Sequence, residues 1–88
     1  MPYIKQDRRM ELNKNSQLEM IGLKCNSSGE LNYVITMICK GYINKYGLIK
    51  YDRLSSVKGV LDDIKDEFYR RVMIPYEEMK KNENGDVY

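Results

Sequence analysis

The clearest pattern in the chain lies in its second half. Leu54, Val57, Leu61, Ile64, Phe68 and Val72 step by three, four, three, four and four residues. That spacing keeps one apolar stripe on one side of a helix and fits no strand. Asp52 stands where a cap is expected. Pro75 lacks the N–H that an uninterrupted helix needs and crowds the turn before it, so the helix should kink or restart there. A short fourth helix, Tyr76 to Asn82, is expected beyond it. Glu77 should pair with Lys80 or Lys81, and residues 83–88 should form a C-terminal tail.

The first half is less regular. Residues 1–15 read as an irregular N-terminal segment in which Met10 and Leu12 are isolated anchors and Asp7 can cap a short turn. Ser16 and Glu19 have capping-box spacing and open a helix predicted from about Asn15 to Lys24, with Leu18, Ile21 and Cys25 on one face. Asn26-Ser27-Ser28-Gly29 reads as a turn. Ser27 and Glu30 repeat the capping-box spacing before a second helix, predicted from Ser28 to Tyr46. Its core stripe is Leu31, Val34, Ile35, Ile38 and Tyr42, and Gly47 closes it. Three helices of about 10, 19 and 23 residues on short connections predict an all-α, up-down-up three-helix bundle in a single domain, with the short fourth helix appended.

The stripes do not absorb every apolar side chain. Met20 and Leu23 lie off the first stripe. Met37 and Ile43 lie more than about 100° from the centre of the second, and Tyr33 points nearly opposite it. A monomer rarely leaves so much Met, Ile and Tyr in water. Two readings account for the surplus. Either the N-terminal segment folds back through Met10 and Leu12, or the chain is a homo-oligomer. The second is the expectation, because small folds often gain stability by association.

Composition narrows the function more than the fold. The 88 residues are 42% hydrophobic and 32% charged, with no His and no Trp. The missing His removes the commonest general base and the commonest metal ligand. No phosphate loop, nucleophile elbow or zinc-protease motif occurs. Cys25 and Cys39 have no CxxC spacing and no His to complete a metal site, so they read as small core hydrophobes. Without an apolar leader, reduced thiols and a cytoplasmic location are expected. No stretch is long and apolar enough to span a membrane. The net charge of +2 gives no reason to expect long nucleic acid. Asp62, Asp63, Asp66 and Glu67 form an acidic cluster that reads as surface pairing with Arg70 and Arg71 at i, i+4. The expectation is therefore a non-enzyme with no cofactor and no metal.

A binding reading rests on the tyrosines and arginines. Arg53, Arg70 and Arg71 can clamp phosphate, and Tyr33, Tyr69 and Tyr76 can stack on bases. Asn32 and Thr36, at i, i+4, can read base edges by hydrogen bonds. The plainer reading of the same residues is flanking Tyr with wet hydroxyls and snorkelling cations.

Several segments together resemble one known family. They are Met1-Pro2-Tyr3-Ile4, Gly29-Glu30-Leu31-Asn32-Tyr33-Val34-Ile35-Thr36, Phe68-Tyr69-Arg70-Arg71-Val72, Pro75-Tyr76-Glu77 and Glu83-Asn84-Gly85-Asp86-Val87-Tyr88. The family comprises small proteins of bacteria and their phages and is catalogued as a domain of unknown function. The likeness spans nearly the whole chain and is weakest over residues 11–28. It implies a complete one-domain protein and brings no activity with it. In size alone the chain is also similar to compact helical phage proteins that oligomerise and sequester the cyclic-nucleotide signals of bacterial defence, an analogy of scale rather than of residues. Two expectations follow. One is a non-enzymatic small-ligand binder, an anti-defence nucleotide sponge using Asn32, Tyr33, Thr36, Arg53, Tyr69, Arg70, Arg71 and Tyr76. The other is a helical protein–protein interaction module acting through Tyr33, Met37 and Ile43, by self-assembly or on a host protein.

Overall fold

The computed structural model describes residues 3–45, 47 and 49–88. They form five α-helices: α1 (Gln6–Leu12), α2 (Gln17–Lys24), α3 (Ser28–Ile43), α4 (Tyr51–Phe68) and α5 (Ile74–Asn84). A 3₁₀ turn (Lys14–Ser16) precedes α2, and a π-turn (Tyr69–Met73) joins α4 to α5. No strand occurs among the described residues, so the all-α expectation holds. The chain divides into two compact units, residues 1–54 and 55–88.

The N-terminal segment differs most from expectation. Residues 6–12 are helical rather than irregular, and the next helix begins at Gln17 rather than Asn15. Ser16 does not cap it. Asn15 and Ser16 both take left-handed φ angles, 59° and 56°, and the Ser16 side chain makes no capping hydrogen bond. Asn13 does the capping instead. Its Oδ1 accepts from the Leu18 N–H at 2.9 Å and its Nδ2 donates to Glu19 Oε1 at 3.0 Å. Asn suits this role because its short amide offers an acceptor and a donor together. In a left-handed Ser the Cβ crowds the following carbonyl oxygen, at a cost of about 1–2 kcal/mol.

The start of α3 follows the sequence closely. Ser27 Oγ accepts from the Glu30 N–H at 3.2 Å, and Glu30 Oε1 reaches back to the Asn26 N–H at 3.0 Å. The box closes one residue earlier than the usual pattern. The helix ends at Ile43, where Asn44 donates its N–H and its side-chain amide to the Lys40 carbonyl. The expected end at Tyr46 lies outside the described residues. Asn44 rather than Gly47 therefore caps the helix, and Gly47 takes a left-handed φ of +72° three residues beyond it.

Asp52 is the second residue of α4 rather than its cap, where its charge still favours the helix start. From there the backbone stays helical to Asn84. Pro75 is accommodated by the π-turn: the Ile74 N–H donates to the Tyr69 carbonyl, five residues back. The wider turn relieves the crowding between the proline ring and the preceding turn. The restart expected at Tyr76 therefore comes at Ile74, and the helix runs to Asn84 rather than Asn82. The tail begins at Gly85, with φ +86°, so Glu83 and Asn84 are helical. The ion pairs shift as well. Arg70 pairs with Glu67 at 2.6 Å, Lys80 with Glu83 and Lys81 with Glu78 at 3.2 Å, all at i, i+3. Such exposed pairs contribute only about 0–1 kcal/mol each.

The π-turn has a second effect. Read onward, the apolar positions are Leu54, Val57, Leu61, Ile64, Phe68, Val72, Tyr76 and Met79, stepping 3-4-3-4-4-4-3. A strict heptad would step 3-4-3-4-3-4-3. The single extra residue falls between Phe68 and Val72, where the π-turn begins at Tyr69. A π-turn takes one additional residue into a helical turn. The irregular spacing thus becomes one continuous seam along the helix.

None of the described residues is buried. Cys25 and Cys39, expected in a core, are half-buried free thiols, and Cys25 Sγ lies 3.5 Å from the Ile21 carbonyl. Replacing Asn13 by Ala is expected to lower stability by about 1 kcal/mol, and Ser16→Gly to raise it by a similar amount. Urea titrations followed by circular dichroism at 222 nm check both. A loss with Ser16→Gly and none with Asn13→Ala would return the cap to Ser16.

Candidate functional site

The eight ligand-binding candidates fall into two groups, and each unit is described by itself. Asn32, Tyr33, Thr36 and Arg53 belong to the first unit, and Tyr69, Arg70, Arg71 and Tyr76 to the second.

In the first unit, Asn32 and Thr36 come together but bond to each other. The Thr36 hydroxyl donates to the Asn32 carbonyl at 2.8 Å and lies 3.4 Å from Asn32 Oδ1. A helical Thr commonly bonds this way to the carbonyl four residues back. Tyr33 projects elsewhere. It lines a shallow depression of about 250 Å³ with Ile21, Lys24, Cys25, Glu30 and Val34, where the end of α2 meets the start of α3. Arg53 does not join Tyr33. Its Nη1 donates to the Tyr42 carbonyl at 2.9 Å, and its guanidinium stacks 4.7 Å from the centre of the Tyr42 ring. That pairing ties the first turn of α4 to the last turn of α3. A stacked guanidinium contributes about 0.5–1 kcal/mol at a partly exposed site. The sequence reading listed Arg53 as a phosphate ligand and missed this fastening. Its only trace in the sequence is a tyrosine near one helix end and an arginine just inside the next.

In the second unit, Tyr69 and Arg70 do share a site. With Lys65, Asp66 and Ile74 they line an open depression of about 410 Å³ beside the π-turn. Two cations and an aromatic ring face it, which suits an anion, but Asp66 faces it too and Arg70 is paired with Glu67. Arg71 and Tyr76 do not line that depression. The Tyr76 ring instead has Lys80 Nζ 5.7 Å from its centre. In the tail, the Tyr88 N–H donates to Asp86 Oδ1 at 2.9 Å, and the tail lines a third depression against Glu77, Lys80 and Lys81.

The most continuous feature of the second unit is apolar. Leu61, Ile64, Phe68, Val72, Tyr76 and Met79 are each at least 40% exposed. The residues that directly follow seam members carry mixed charge: Lys58, Lys65 and Lys80 follow Val57, Ile64 and Met79, while Asp62 and Glu77 follow Leu61 and Tyr76. Sequence reasoning found the first part of this stripe and assigned it to a bundle core. In the first unit, the α3 stripe is open as well: Leu31, Ile35, Ile38 and Tyr42 are 41–58% exposed. Tyr33 and Met37, from the face expected to contact a partner, are exposed, while Ile43 is half-buried.

Among the described residues no three His, Cys, Asp or Glu side chains stand close enough to hold a metal ion, and no helix is long and apolar enough to cross a membrane. No curated protein and no solved structure matched the chain in comparison. Residues 1–87 match the family described as Domain of unknown function (DUF6899), and the chain belongs to that family.

Proposed function

We propose that this protein is a non-enzymatic helical interaction module that works by setting an apolar helical seam against a partner protein. One observation carries the reading: the seam of residues 57–79 keeps heptad register through the π-turn, yet every member from Leu61 onward is open. Heptad spacing serves helix-on-helix packing, where each apolar knob enters a hole between four residues of a facing helix. A fully covered Leu, Ile or Phe contributes about 1.5–3 kcal/mol relative to an exposed one. Lys58, Asp62, Lys65, Glu77 and Lys80 along one flank can form ion pairs with a facing helix and so select its register.

A second reading, capture of a small anion such as a cyclic nucleotide, draws on the depression lined by Lys65, Tyr69 and Arg70. It is the weaker one. Asp66 lines the same surface and Glu67 occupies Arg70, so carboxylates stand where a phosphate would bind. Asn32 and Thr36, the candidates for base recognition, bond to each other.

Both readings can be tested. Lysine-directed crosslinking in the native host is expected to join Lys58, Lys65 or Lys80 to another polypeptide chain, and Ile64→Glu is expected to abolish those links. Crosslinks that persist in Ile64→Glu, or none from the three lysines, would overturn the module reading. A panel of linear and cyclic nucleotides is expected to leave the melting temperature unchanged. A nucleotide that raises it, with the rise lost in Arg70→Ala, would move the assignment to ligand capture.

A further inference from the structure

The π-turn serves the depression beside it as well as the seam. We propose that it is a conformational coupling built into the 55–84 helix. Pro75 sets the turn, and the turn fixes together the wall of the depression beside Tyr69 and Arg70 and the direction in which residues 76–84 present their side chains. The coupling goes beyond the module reading and holds whatever meets the seam.

The depression carries the turn in its own lining. Lys65, Tyr69 and Ile74 line it, separated by four residues and then by five. Four residues make about one turn of α-helix. Five residues of α-helix would place Ile74 about 140° around from Tyr69, and Met73 would stand in its place. Ile74 lines the same surface as Tyr69 because its N–H donates to the Tyr69 carbonyl across the wider turn. The depression therefore has its present wall only in the π form.

The same inserted residue sets direction. Residues 55–68 are α-helical before the turn and 74–84 beyond it. One residue more or less in the turn rotates one stretch against the other by about 100°. Tyr76 and Met79 face where they do relative to Leu61 and Ile64 because the turn is π rather than α.

Pro75 decides between the two forms. In an α-helix its ring would crowd the Arg71 carbonyl, and the wider turn removes that clash. Without the proline the chain is free to close ordinary bonds to the carbonyl four residues back. Wall and direction then change together. Whatever fills the depression therefore holds residues 76–84 in their present direction, and whatever holds those residues keeps the depression formed.

Nickel on paired histidines tests this in the full chain, which has no His of its own. Tyr69, Met73 and Ile74 are each at least 37% exposed, so imidazoles there can reach a metal ion. Tyr69→His with Ile74→His is expected to bind Ni²⁺ about tenfold or more tightly than Tyr69→His alone, because the two rings chelate. Adding Pro75→Ala should weaken that binding about tenfold, because the ion must then rebuild the turn. In the Pro75→Ala background Tyr69→His with Met73→His, the spacing of an ordinary helix, should chelate tightly. Backbone dipolar couplings should show residues 76–84 of Pro75→Ala rotated by about 100° against 55–68. Saturating Ni²⁺ on the Tyr69→His, Ile74→His pair should reverse that rotation. A pair no tighter than the single histidine overturns the proposal, as does binding indifferent to Pro75→Ala or a Pro75→Ala chain without the rotation. Loss of chelation by both pairs in Pro75→Ala overturns it as well, since Ala favours helix more than Pro.

Discussion

A single amphipathic helix cannot bury its own apolar stripe. That constraint governs the second unit, whose described residues are one helix from 55 to 84 and a short tail. Leu61, Ile64, Phe68, Val72, Tyr76 and Met79 lie in one seam, all substantially open. Each member is about half exposed, so leaving the row in water forgoes roughly half of the about 1.5–3 kcal/mol that full burial of a large side chain contributes. The seam is therefore the part of the molecule whose energy is unsettled until another surface meets it.

Proline and the π-turn belong to the same account. Pro75 breaks the hydrogen-bond ladder of an ordinary helix, and the π-turn over Tyr69–Met73 absorbs that break. The residue it takes up is the one by which the apolar spacing departs from a heptad. A kink at Pro75 without this insertion would carry Val72, Tyr76 and Met79 around the helix and away from Phe68. The local defect thereby preserves a long-range pattern, which explains how Pro75 coexists with a seam on both of its sides.

The sequence made legible what depends on helical periodicity and local capping. The Ser27–Glu30 cap, the helix after it and the stripe from Leu54 to Val72 all follow from spacing. Contacts decided by backbone geometry were less legible. Ser16 has the right spacing to cap but takes a left-handed φ, and the cap passes to Asn13, which no pattern singles out. Residues 6–12 looked irregular because a helix of Gln, Asp, Arg, Met, Glu and Leu has almost no apolar stripe. The candidate site was legible only in its types of residue. Tyr69 and Arg70 share a surface because they are neighbours on the π-turn. Arg53 instead fastens two helix ends, and Asn32 and Thr36 bond to each other, both through geometry that composition does not encode.

The central claim is that the seam of residues 57–79 is a surface for packing against a partner protein. Amide hydrogen exchange across that helix, compared between the purified chain and the chain in extract of its native host, tests it most directly. The account predicts stronger protection at Ile64, Phe68 and Val72 in the extract, because an isolated helix of this length is marginal in water. Equal protection in both would contradict it.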